Sequence, residues 1–194
     1  MTRPQDHFGR RAKKAGYPAR SVFKLQEIDR RVRLFCSGQR VLDLGAAPGS
    51  WTRYAAERVG PRGTVLGIDI RLRDTDTGLP ANATIRQGDL LQIEPSEIEA
   101  RGDYDVVLSD MAPDTSGHRH LDQYRSYELY ARALLIACEV LKPGGCFLGK
   151  IFQGAEFEQA RKETREAFAR VRVLKPPASR KESYEIYLLG LERK

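Results

Sequence analysis

Cysteine is scarce in this chain: Cys36, Cys138 and Cys146 are the three present in 194 residues. They are odd in number, widely spaced and form no CxxC pair. That excludes a disulfide framework and a cysteine-built zinc site, and it points to a reducing compartment, the cytoplasm. Cys138 and Cys146 sit in apolar runs and are expected in the core rather than as nucleophiles. No apolar run approaches the ~20 residues of a membrane span. The opening Met1-Thr2-Arg3-Pro4-Gln5-Asp6 does not read as a signal peptide. Internal repeats and low-complexity segments are also missing. What remains is 41% hydrophobic and 30% charged, the balance of a folded globular chain. Its length fits one domain, or one domain with a short extension.

The net charge of +7 is informative through its placement. Residues 1–40 hold eleven Lys/Arg against Asp6, Glu27 and Asp29, a local charge of +8, so the remainder sums to −1. A nearly neutral body with a basic front suits a polyanionic partner, because Lys/Arg contacts to phosphates supply most non-specific nucleic-acid affinity. A solvated tail that aids solubility is the plainer alternative. A membrane surface fits less well, since the segment has no face rich in Trp, Phe and Leu.

From Ala19 to Phe35, the residues Val22, Leu25, Ile28 (or Asp29), Val32 and Phe35 recur at three- and four-residue steps, which predicts an amphipathic helix. Ahead of it, FGRRAKKAGYPAR is basic and broken by Gly16 and Pro18, which predicts a mobile or loosely docked arm. Residues 1–36 are therefore expected to be an extension, and residues 37–194 the main domain. Beyond Ser37-Gly38, short apolar runs (RVLDLG, GTVLGIDI, ATIRQGDLL, YDVVLSD, CFLGKIF) alternate with helical patterns (SWTRYAAERVG, LDQYRSYELYARALLIACEVLKPGG, EFEQARKETREAFARV). That alternation implies βαβ units around a mainly parallel sheet with helices on both faces. The last two runs, VRVLKP and YEIYLLGL, are joined by PPASRKES, too short for a crossover helix. They should pair antiparallel, giving seven strands with one reversed near the end.

The run Val41-Leu42-Asp43-Leu44-Gly45-Ala46-Ala47-Pro48-Gly49-Ser50-Trp51 reads as a buried strand breaking into a small-residue loop and then a helix. Gly45 and Gly49 let the backbone turn tightly and approach a ligand. The spacing is not GxGxxG, so a pyrophosphate seated on the helix terminus is poorly matched. Asp69 closes the second strand, where a carboxylate can accept both hydroxyls of an adenosine ribose, and Asp89 closes the third, near the adenine edge. A single acid at a strand end is usually a cap or a turn residue. Three of them, Asp43, Asp69 and Asp89, at successive strand ends beside such a loop favour a nucleoside cofactor without phosphate. Trp51 has two readings, packing over the cofactor or filling the space between helix and sheet.

In combination DLGAAPGSW, LSDMAPDTSG, GKIFQG and SRKESYEIYLL resemble the FtsJ/RrmJ (RlmE) family of ribose 2′-O-methyltransferases, from about Lys13 to the C terminus. The resemblance implies a class I S-adenosylmethionine-dependent methyltransferase: a Rossmann-like α/β fold whose seven-stranded, mostly parallel sheet has one antiparallel strand. It implies S-adenosyl-L-methionine as cofactor and a Lys-Asp-Lys-Glu tetrad. Matched motif by motif, the tetrad is Lys24 in SVFKL, Asp110 in LSDMAP, Lys150 in FLGKIF and Glu185 in SYEIY. The cofactor positions fall on Gly45, Gly49, Trp51, Asp69, Asp89 and Asp110. Ser50 departs from the pattern, since bacterial members usually carry a second glycine there. The implied substrate is ribosomal RNA of the large subunit, at a uridine of the A loop; separately, the protein is expected to be cytoplasmic and a monomer. Residues 1–36 then become an RNA-binding extension and 37–194 the methyltransferase domain.

The chemistry asks for such residues on its own account. A ribose hydroxyl is a poor nucleophile while protonated, so an enzyme must align it with the methyl donor and manage one proton. Lys150, at a strand end beside the pocket, is the candidate base. Free lysine titrates at ~10.4 and must be lowered by desolvation or a second cation, which Lys24 can supply, while Asp110 and Glu185 pull the other way and hold geometry. Neutral Lys150 taking the proton and charged Lys150 steadying an alkoxide are both open at this point. Asp110 begins DMAP and not the Asp/Asn-Pro-Pro-aromatic run of base-amino methyltransferases, which favours ribose over base. His118 and His120 lie in a polar loop with no third ligand at sensible spacing, so a surface role or RNA contact is expected and no metal. Methylation of tRNA or of an mRNA cap is the nearest alternative function. An NAD-dependent oxidoreductase and a non-catalytic assembly factor on the same scaffold are alternatives from other classes. The missing GxGxxG counts against the first, and the four filled tetrad positions against the second.

Overall fold

Arg40–Leu44 (β1), Tyr104–Ser109 (β4) and Leu141–Phe152 (β5) carry nearly continuous buried runs, and such strands belong in the middle of a sheet covered on both faces. In the computed structural model, which describes residues 7–71, 78–98, 103–176 and 183–194, they do form the centre. With Thr64–Asp69 (β2), Ala83–Gln87 (β3), Phe168–Leu174 (β6) and Glu185–Arg193 (β7), they make a seven-stranded sheet of order β3-β2-β1-β4-β5-β7-β6. The pairs β1–β2, β1–β4, β2–β3 and β4–β5 are parallel. β7 runs antiparallel to both β5 and β6, so it is the single reversed strand that the short final loop predicts. Arg3 and Asp6 of the basic front, and residues 177–182 of that loop, lie outside the described residues. The edge strand β6 exposes Arg170 and Arg172, charges that discourage pairing with another chain.

Alternate residues face two cores. One face packs Val41, Val106, Leu108, Leu148, Tyr187 and Leu189 beneath the helices Val22–Val32 (α2) and Ser50–Val59 (α3). The other packs Leu42, Leu44, Val107, Phe147, Ile151 and Leu188 against Arg119–Val140 (α4) and Phe157–Ala167 (α5). Three helices differ from the sequence reading. α4 ends at Val140, where the pattern reads as helical through Gly145, and β5 begins at Leu141. α2 starts and stops three residues inside the expected span. α5 ends at Ala167, where the pattern was read as helical through Val171. The chain turns to strand at Phe168 because that ring is fully buried against Phe147, with ring centres 6.4 Å apart.

The basic arm is docked, which corrects the expectation of a mobile or loosely held segment. His7–Lys14 is a helix (α1), with Phe8 packed at 5.8 Å from the Phe23 ring and Ala12 fully buried. Gly16, at φ 79, turns the chain. The Arg53 guanidinium then donates to the Gly16 carbonyl, and the Tyr17 hydroxyl donates to Glu57. The signal was present as an apolar pair one helical turn apart, but the surrounding charge hides it. Arg10, Arg11, Lys13 and Lys14 remain exposed on the outside. α2 is fastened in turn by Asp29. Its Oδ1 accepts the backbone N–H of Leu34 at 2.9 Å, and its Oδ2 accepts Tyr54 Oη–H at 2.8 Å and Arg58 Nε–H at 3.0 Å. Burial of Leu25 and Ile28 adds about 1.5–3 kcal/mol each.

Candidate active site

Open α/β sheets bind ligands beyond strand carboxyl ends where the strand order reverses, here between β1 and β4. A cleft of about 570 Å³ opens there, lined by Gly45, Asp69, Asp89, Asp110 and Met111 among others. That size suits a small-molecule cofactor. The turn after β1 folds back on β2: Gly45 N–H and Ala46 N–H both donate to the Ile68 carbonyl, at 2.9 and 3.2 Å. Gly45 is at φ 78, and a Cβ there would lie 2.5 Å from Met111 Cγ, so only glycine lets the two loops close the cleft floor. Asp69 is held by the Ala47 N–H on Oδ2 (2.9 Å) and the Arg71 N–H on Oδ1 (2.8 Å).

The donor set discriminates between cofactors. Asp69, Asp89 and Asp110 face the cleft with one guanidinium, Arg71, which pairs with Asp114 at 3.2 Å. A pyrophosphate would meet net negative charge, and the N-terminus of α3 is not on the wall. A nucleoside carrying a cationic sulfonium fits the same charges, so these residues suit S-adenosylmethionine and not a dinucleotide.

At the edge of this cleft, four side chains alternate in sign. Lys24 Nζ donates to Glu185 Oε2 at 2.7 Å, and Glu185 Oε1 lies 4.0 Å from Lys150 Nζ. Lys150 Nζ lies 3.0 Å from Asp110 Oδ1 and donates to the Asp110 carbonyl at 2.5 Å. Both lysines are buried, Lys24 at 8% and Lys150 at 6% exposure. Burial alone would raise the Glu185 carboxyl, but the charge and hydrogen bond of Lys24, with Lys150 behind it, hold it below its ordinary value. The structure thus gathers all four residues matched to the tetrad at one place.

The six cofactor positions separate into two groups. Gly45, Asp69, Asp89 and Asp110 line the cleft, whereas Gly49 and Trp51 do not. Trp51 is 3% exposed, donates from its indole N–H to the Ser21 carbonyl at 3.0 Å and packs 5.8 Å from the Tyr187 ring. Of its two readings the core one holds, and the side chain does not lie over the cleft.

Sequence reasoning missed Tyr187. Its hydroxyl donates to Asp110 Oδ1 at 2.7 Å, and burial together with the Asp110 charge pushes its phenol far above the ordinary value, so it acts as a fixed donor. The available signal was its spacing, two residues beyond Glu185 on the same strand face. Ser50 was also missed. It is buried and ties the cofactor turn to the start of α2, accepting the Ala19 N–H at 2.7 Å and donating to the Ala19 carbonyl at 3.2 Å.

Residues 17–193 match the model of the FtsJ-like methyltransferase family. A Sorangium cellulosum protein named ribosomal RNA large subunit methyltransferase E is 52% identical over 189 residues, covering 97% of this chain and 88% of the relative. Its namesake from Desulforapulum autotrophicum is 47% identical over 190 residues, covering 97% and 93%. Among solved structures, a Plasmodium falciparum protein assigned as a ribosomal RNA methyltransferase superposes with a TM-score of 0.79 at 24% identity, over 91% of this chain and 98% of its own. A TehB-like SAM-dependent methyltransferase from Corynebacterium glutamicum superposes at 0.59 with 17% identity, covering 95% and 94%. At such identities these superpositions establish the fold. Since the family model covers nearly the whole length, the chain belongs to the FtsJ-like methyltransferase family, with S-adenosylmethionine as its cofactor.

Proposed function

We propose that this protein transfers a methyl group to a ribose 2′-hydroxyl of RNA, on the large ribosomal subunit RNA, at a uridine of the A loop. The observation that carries this reading is the alternating cluster Lys24–Glu185–Lys150–Asp110 beside the cofactor cleft. S-adenosylmethionine, when bound, supplies a methyl group already activated on a sulfonium. What the chain must add is a way to orient the hydroxyl and take its proton. Lys150 Nζ takes that proton. Its two flanking carboxylates, Asp110 at 3.0 Å and Glu185 at 4.0 Å, stabilise the ammonium that results, and Lys24 holds Glu185 in place. Tyr187 holds Asp110 in place.

The ribosomal target rests on the names of the relatives, and the exposed Arg10, Arg11, Lys13 and Lys14 support the polyanionic substrate. No helix among the described residues is long and apolar enough to cross a membrane, and we place the reaction in the cytoplasm with the protein a monomer. The test is Lys150→Ala. Methyl transfer should be lost while S-adenosylmethionine affinity stays within a few-fold, and a variant that methylates at near the normal rate removes Lys150 from the proton step. Mass-spectrometric mapping of large-subunit RNA from cells with and without the protein identifies the nucleotide. A methyl group found on a base nitrogen, or only on tRNA, refutes the assignment.

A further inference from the structure

α4 turns Gln123, Ser126 and Tyr130, at steps of three and four, towards the sheet, and all three are buried. One turn earlier, Arg119 continues this stripe beyond the end of the sheet, where it is exposed. Its guanidinium lies over Tyr184, 5.2 Å from the ring centroid. Tyr184 is supported by the edge of Phe152, with ring centres 5.6 Å apart at 84°. The assembly is fixed from below: Gln123 Nε2 donates to the Gln153 carbonyl at 2.7 Å, and the Gln153 N–H donates to the Tyr184 carbonyl at 2.8 Å. Tyr184 directly precedes Glu185, and Phe152 is two residues beyond Lys150. The stack therefore sits one strand step from the catalytic cluster.

Among the described residues, no carboxylate or carbonyl accepts a hydrogen bond from Arg119, so its cation is spent on the ring and on whatever approaches from solvent. A ribose brought to a buried cluster must belong to a nucleotide drawn out of its helix, and its base, or its neighbour's, loses a stacking partner. Proteins replace such partners with aromatic rings and guanidinium planes. We infer that Arg119 and Tyr184 form a stacking platform for a nucleobase of the RNA, beside the ribose that is methylated. The inference rests on the RNA reading above and deepens it.

Binding of a short, fluorescently labelled single-stranded RNA tests it, with S-adenosylmethionine affinity measured in parallel as a check on the fold. Arg119→Lys keeps the charge and removes the plane, and Tyr184→Leu removes the ring. Each should weaken RNA binding roughly tenfold, while Tyr184→Phe stays close to wild type. The salt dependence of Arg119→Lys should match wild type because its charge is unchanged. Normal binding by Arg119→Lys would mean a phosphate contact only, and no change in either variant would mean that Arg119 merely seals a tyrosine from water. Either result overturns the platform. Methyl transfer is scored separately as 2′-O-methylated nucleotide in large-subunit RNA. A wild type that makes none sinks the ribose reading and leaves the stacking result intact, whereas normal product with unaltered RNA binding by both variants sinks the platform alone.

Discussion

Asp43 occupies the penultimate position of β1 with no exposed surface. Its Oδ2 accepts the Thr52 hydroxyl at 2.7 Å, while Oδ1 has no hydrogen-bond partner among the described residues. Burial pushes this carboxyl up to about 7; the Thr52 hydrogen bond opposes the rise, and the nearby charges of Asp110 and Asp69 add to it. In the unfolded chain the group titrates near ~3.9. Between those values the folded protein keeps a proton that the unfolded chain has released. Its contribution to stability is therefore full below about pH 4, falls as pH rises through about 7, and is gone above that. At ~1.4 kcal/mol per pH unit, the whole gap corresponds to roughly 4 kcal/mol, of which about 3 kcal/mol falls between roughly pH 5 and pH 8.

Asp43→Asn removes this titration while keeping an acceptor for Thr52. Its amide nitrogen brings a donor into a dry site, a cost of about 1–3 kcal/mol that is the same at every pH. The measurement is urea unfolding of both proteins across that pH range. Groups that do not interact with Asp43 cancel in the difference, including Glu185, whose lowered carboxyl contributes in the opposite sense, with stability lost as pH falls through its folded value. The variant should gain on wild type by about 3 kcal/mol as pH rises from about 5 to about 8. Parallel curves would show that Asp43 is ionised throughout and that its unpartnered oxygen carries no proton.

Three further outcomes follow from the site. Gly45→Ala places a methyl group 2.5 Å from Met111 Cγ at a left-handed φ, so S-adenosylmethionine affinity measured by calorimetry should fall on the order of tenfold or more, with a smaller change in melting temperature. Tyr187→Phe retains the packing against Trp51 but takes a donor from a carboxylate, a loss of about 1.5–3 kcal/mol in gross terms. It should lower kcat for RNA about tenfold or more and leave cofactor affinity unchanged. Replacing Arg10, Arg11, Lys13 and Lys14 with glutamine should weaken RNA binding and flatten its salt dependence, with cofactor affinity unaltered. An unmoved RNA affinity would reduce α1 to a solubilising surface.

Much of the site was legible because strand periodicity is strict. Val106, Leu108 and Asp110 share one face of β4 and its extension. Leu148 and Lys150 share one face of β5, and Glu185, Tyr187 and Leu189 one face of β7. Once those strands are recognised, the period of two puts Asp110, Lys150 and Glu185 on the same side of the sheet. The same rule would have found Tyr187 had it been carried two residues further. The docking of α1 was not legible, because Phe8 and Ala12 are two apolar residues in a helix whose other positions are mostly charged. The role of Trp51 was ambiguous because a ring at a helix start can turn either way, and only the Ser21 carbonyl decides it.

Lys24 shows what spacing cannot carry. It lies outside the sheet, on α2, and reaches Glu185 only because that helix is tied down at both ends. At its start, Ser50 grips Ala19 and Trp51 grips Ser21; at its end, Asp29 binds Leu34, Phe35, Tyr54 and Arg58. Apart from the local Asp29 contacts that stop the helix, these ties join residues 25 or more apart and fasten α2 to α3, the helix that follows the cofactor turn. The hydrophobic residues of α1 and α2 belong to the same core as Val41 and Trp51. The division proposed at residue 36 therefore marks a proposed role, a charged exterior for RNA, and not a mechanical boundary. Mechanically, the extension and the cofactor turn are a single piece, and a perturbation of either is expected to move Lys24.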